Sequence, residues 1–132
     1  MKHKITLQIG DTFEIASLIE RFSSLTLIRD NGFKRTYSGD DLYLCLAKIR
    51  RDFPEIEFLC KGAKLNVYPS RMCSQMSNGS VAYEMKLGKQ ARREDIVHIF
   101  DFEDKDITSD ISEQIDFYRH WISFFGPKPT PL

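Results

Sequence analysis

Three cysteines, one tryptophan, five prolines and no net charge mark what this 132-residue sequence lacks. Cys45, Cys60 and Cys73 are odd in number and widely spaced, with no Cys-x-x-Cys pair and no histidine at finger spacing. They therefore form no zinc signature, and each is expected to behave as a small buried hydrophobe in a reducing compartment. No run approaches the roughly 18 apolar residues of a membrane helix, and the N-terminus carries no apolar signal segment. A cytoplasmic chain with no membrane association is the expectation. Gly-x-Ser-x-Gly, the P-loop and the dinucleotide fingerprint are all absent. His3, His98 and His120 have no nucleophile or carboxylate at a catalytic spacing, and they read as structural. No catalytic residue, metal site or cofactor is assigned.

What is present suits one ordered domain. Hydrophobic residues make up 42% of the chain, with ten Phe and five Tyr, enough apolar surface to offset the entropy of folding. Residues 1–126 are expected to form the domain and 127–132 an extended tail, with Gly126 and Pro127 closing the last helix.

Periodicity divides the chain into elements. Ile5, Leu7 and Ile9 alternate with polar residues as in a half-buried strand. Asp11 and Glu14 then resemble a capping arrangement, and Ile15, Leu18, Ile19 and Phe22 fall at i, i+3, i+4 and i+7, so the spacing predicts a helix there. Asp30-Asn31-Gly32 separates two short apolar runs and predicts a hairpin. Leu42, Cys45, Leu46, Ile49 and Phe53 form a second helical stripe, stopped at Pro54. Residues 56–60, 64–68, 81–87 and 96–102 read as strands, and 69–76 as a helical turn or ordered loop. Ile111, Ile115, Tyr118, Ile122 and Phe125 set out a long C-terminal helix, started by Asp110 and Glu113, with Trp121 on its apolar side. The fold class is α+β, a largely antiparallel sheet covered by about three helices on one face.

Charge is sharply segregated inside Lys61–Asp116. From Lys61 to Arg93 seven basic residues (Lys61, Lys64, Arg71, Lys86, Lys89, Arg92, Arg93) face one acid, Glu84. From Glu94 to Asp116 nine acids face one base, Lys105. The cluster Asp101, Glu103, Asp104, Asp106, Asp110, Glu113 and Asp116 lacks the residue order of a calcium loop. It reads either as a solvated surface, part of which favours the positive end of the last helix, or as a phosphate-backbone mimic directed at a basic protein. The basic 61–93 surface leaves open a small enzyme or a nucleic-acid-associated accessory protein.

With Val67-Tyr68-Pro69-Ser70-Arg71-Met72, Ala82-Tyr83 and Ile99-Phe100-Asp101, beside this acidic surface and the missing catalytic motifs, the chain resembles the contact-dependent growth inhibition immunity proteins. The resemblance implies a bacterial protein that acts by binding. Its partner would be the C-terminal toxin domain of a surface-delivered effector, commonly a nuclease and often one that cleaves transfer RNA. Some such toxins engage elongation factor Tu, which implies a ternary complex as a further state. The seven carboxylates above are the toxin-binding residues implied, with no direct contact to nucleic acid.

Overall fold

The computed structural model describes residues 1–125. Strand β1 (Lys2–Ile9) turns through Gly10-Asp11 into β2 (Thr12–Arg21), with Ile9 opposite Thr12. Gly10 sits at φ +60°, a left-handed conformation that glycine adopts without steric cost, as a two-residue hairpin turn requires. β3 (Ser24–Ile28) and β4 (Lys34–Ser38) form the expected hairpin across 29–33, with Gly32 at φ +91°. Helix α1 (Leu42–Asp52) follows, and β5 (Glu57–Leu59) returns to the free edge of β1. The antiparallel order is β4-β3-β2-β1-β5.

The helix expected from Asp11 to Phe22 is β2 instead. Ala16 and Leu18 alternate into the core, whereas Ile15 and Phe22 are 57% and 87% exposed. The helical spacing of the apolar residues is thus not a buried stripe. β-branched Thr12, Ile15 and Ile19 suit a pleated strand, and pairing with β1 and β3 on both sides fixes it.

One face of this sheet carries the core. Ile5, Leu7, Leu18, Leu25, Leu27 and Phe58 pack with Leu42, Cys45, Leu46 and Ile49, the expected stripe of α1. Asp41 caps α1 by accepting the Leu44 amide at 2.9 Å, satisfying one of the orphan donors of the first turn. The three cysteines are free and buried, and burial pushes the Cys60 thiol up to about 11.

A second antiparallel sheet, ordered β6-β7-β8, is built from Val67–Tyr68, Val81–Glu84 and Ile96–His98. All the expected strands from residue 56 onward are present, but shorter, and they belong to two sheets rather than one. The segment after β6 forms α2 (Arg71–Ser77), capped by Ser70 and closed by Asn78 at φ 56°. Helix α3 (Ile111–Ser123) completes the fold, with Asp110 accepting the Ser112 amide. Among the described residues the architecture is a single α+β domain with three α-helices. The helix end at Gly126–Pro127 and the tail 127–132 lie outside the described residues.

Trp121 and Gln114 are the buried residues of α3. Gln114 accepts from Arg50 Nη2 at 2.6 Å and donates to the Gly62 and Lys64 carbonyls. Arg50, fully buried, also donates to Thr108 O at 2.6 Å. These bonds tie α1, residues 62–64, the segment before α3 and α3 itself through one guanidinium and one amide.

Candidate functional site

The acidic residues divide between an irregular loop, 99–110, and the first turns of α3. Irregular backbone is fixed only where its polar groups find partners. Here 59–65 supplies them. Lys61, Gly62 and Leu65 donate backbone amides to Asp101, Ile99 and Asp106, while Glu103 and Thr108 donate to Leu59 and Ala63, at 2.8 to 3.3 Å. Asp106 takes φ 55°, a left-handed position that Asp tolerates better than most L-residues.

Not all seven carboxylates are available to a partner. Glu103 accepts Lys61 Nζ at 3.0 Å and Lys64 Nζ at 2.8 Å, and its second oxygen accepts the Asp104 and Lys105 amides. The hydrogen bond from Lys64 leads the effects that hold Glu103 down at about 2, below its ordinary 4.5. Glu84 accepts the same two ammonium groups at 2.8 and 3.0 Å. Asp110 is spent on the cap of α3, and Glu113 accepts the Thr108 hydroxyl, joining helix to loop.

Asp101, Asp104, Asp106 and Asp116 are exposed, and among the described residues their carboxylates enter no ion pair or hydrogen bond. The first three lie on the fixed loop, with Asp116 on α3. Between Asp101 and Glu103 stands Phe102, 60% exposed. Reading 96–102 as one alternating strand hides this residue. A phenylalanine between carboxylates, just where apolar alternation ends, is the sequence signal for it. The loop thus carries an exposed ring and three free carboxylates on backbone that is hydrogen-bonded to 59–65.

The basic run is divided too. Lys61 and Lys64 are neutralised by Glu84 and Glu103, so the continuous basic 61–93 surface is broken. Arg71, Lys86, Lys89, Arg92 and Arg93 remain exposed with no ion pair among the described residues. His3 Nε2 lies 2.7 Å from Glu20 Oε1, and its ring packs on Phe100 with centroids 4.5 Å apart. His98 Nδ1 accepts the Phe100 amide at 3.4 Å, and His120 stacks on Phe124. Among the described residues, no group of three His, Cys, Asp or Glu side chains could hold a metal ion. No helix among them is long and apolar enough to cross a membrane. No protein-family model matches the chain, and no curated protein does.

Proposed function

We propose that this protein is a binding inhibitor of the immunity class, acting in the cytoplasm by seating its 99–110 loop in the basic active site of a toxin domain. The observation that carries the reading is the fixed loop itself: Phe102 is exposed among the free carboxylates of Asp101, Asp104 and Asp106, on backbone pinned to 59–65. A few aromatic anchors dominate most protein interfaces, with surrounding polar groups setting orientation. Free carboxylates speed encounter with a basic partner and oppose acidic ones. A loop already ordered loses little entropy on binding, which favours affinity. Nuclease active sites are basic because they hold phosphates, so a toxin that cleaves transfer RNA fits this surface. A toxin-associated host factor such as elongation factor Tu would be a third member of such a complex.

The test is to identify the gene directly upstream, expected to encode a large secreted protein, and to co-express the C-terminal domain of its product with this chain. Co-purification and loss of transfer-RNA cleavage are expected. Replacing Phe102 by Ala together with Asp104 by Asn should release the toxin and restore cleavage while the inhibitor remains folded. Unchanged inhibition by this folded variant would refute the assignment.

A further inference from the structure

The second exposed charged loop, 85–95 between β7 and β8, frames a cleft of about 600 Å³. Its walls include Lys86, Lys89, Gln90, Arg92, Glu94 and Phe125. Two tight turns shape it. Lys89 donates its amide to Lys86 O at 3.1 Å with Gly88 at φ +81°, and Asp95 donates to Arg92 O at 3.0 Å. Trp121 lies beneath, fully buried, its Nε1 donating to Lys89 O at 2.8 Å. Phe125 meets that indole edge-on, with centroids 4.9 Å apart.

The chemistry of the lining is specific. Lys86, Lys89 and Arg92 are three cations without a carboxylate partner among the described residues. Asp95 also lines the cleft, with one oxygen accepting the Arg92 amide at 2.9 Å, and Glu94 is the lining carboxylate with no hydrogen bond among the described residues. Clustered ammonium and guanidinium groups recognise phosphate oxygens. A carboxylate beside them would repel phosphate, yet it suits a ribose hydroxyl as acceptor. An aromatic ring at the wall offers a face or edge to a planar base. The volume lies within the roughly 300 to 1,000 Å³ of small-molecule sites.

We infer that the 85–95 cleft binds a phosphorylated ribonucleotide, with Lys86, Lys89 and Arg92 on the phosphates, Glu94 on the ribose and Phe125 against the base. This site is separate from the acidic loop and needs no protein partner. The nucleotide can be free or part of a single-stranded RNA, since both offer the same chemistry.

Trp121 is the sole tryptophan and reports on the loop directly. The purified chain is titrated with ADP and, separately, with a single-stranded adenosine ribo-octamer, following Trp121 emission and equilibrium dialysis of labelled ligand. Saturable binding is expected with Kd below about 1 mM. Binding of ADP alone assigns the site to free nucleotides, and binding of the octamer alone assigns it to RNA. The combined change Lys86→Ala, Lys89→Ala, Arg92→Ala should weaken binding at least about tenfold, because three phosphate contacts are lost. It leaves the Lys89 carbonyl that anchors Trp121 in place, and circular dichroism checks the fold. Glu94→Gln should reduce the preference for ADP over its 2′-deoxy analogue. No binding of either ligand, wild-type affinity in the triple variant, or pyrophosphate binding as tightly as ADP would overturn the proposal.

Discussion

Two loops of opposite charge leave strand β8 in opposite directions along the chain, and they are fastened by different means. The acidic loop 99–110 is pinned by successive backbone hydrogen bonds to 59–65, with Glu103 inserted between Lys61 and Lys64. The basic loop 85–95 is tied at its first residue, where Met85 exchanges hydrogen bonds with Asn66, and beyond that rests on its own tight turns and on the bond from the Trp121 indole to Lys89 O. Exposed charge is therefore presented rigidly on one side and on a lightly tethered segment on the other. Rigid presentation favours a shape-matched protein interface. A tethered loop suits a small ligand around which it can close. The zero net charge of the chain conceals this separation of charge.

The largest expected effect breaks the basic loop's anchor. Trp121→Ala removes a fully buried ring and the loop's indole donor, and should cost about 3 to 5 kcal/mol. Urea denaturation measures it. Amide exchange in 85–95 should accelerate more than in 99–110. Uniform acceleration would mean that the two loops are not separately fastened.

Next is the acidic loop's ionic root. Glu103→Gln leaves Lys61 and Lys64 with Glu84 alone and should cost about 2 kcal/mol, the scale of hydrogen bonds to charged groups in partly buried sites. The pH dependence has a definite sign. The folded pKa of about 2 lies below the ordinary 4.5, so the stabilisation is complete above about 4.5 and is lost as pH falls toward 2. Stability of the Gln variant should fall less steeply across that window. Parallel curves for the two proteins would contradict the pairing.

The smallest effect is a control. Replacing Lys86, Lys89 and Arg92 by Ala should change stability by less than about 1 kcal/mol in total, because exposed charges without partners contribute little. A larger loss, seen as a lowered denaturation midpoint, would show that these side chains hold the loop.

Much of this was legible in the sequence where local pattern and burial coincide. Every stripe residue of α1 from Leu42 to Ile49 is buried, and Trp121 takes the inward face of α3. β2 was misread because Ile15, Ile19 and Phe22 mimic helical spacing on residues that never meet the core; pairing with two neighbouring strands decides that segment, and pairing is nonlocal. The charge split was visible by counting. Its internal neutralisation was not, since Lys61 and Lys64 find Glu84 and Glu103 at separations of 20 to 42 residues. Asp110, read from the sequence both as the start of α3 and as a binding carboxylate, is committed to the cap. A charge reversal there would disturb the helix start as well as any interface, so Asp101 and Asp104 are the cleaner positions to change.

The most direct test of the proposed binding assignment is the dissociation constant for a toxin domain that co-purifies with the chain, measured by calorimetry for two folded variants beside the wild type. Phe102→Ala with Asp104→Asn should weaken binding by about two orders of magnitude, as expected for an aromatic anchor and a close charge. Lys86→Ala with Lys89→Ala should leave it within about threefold, the range for residues away from an interface's centre. Loss of affinity in the basic-loop variant, with the Phe102 variant binding as wild type, would place the interface on the other loop and contradict the account.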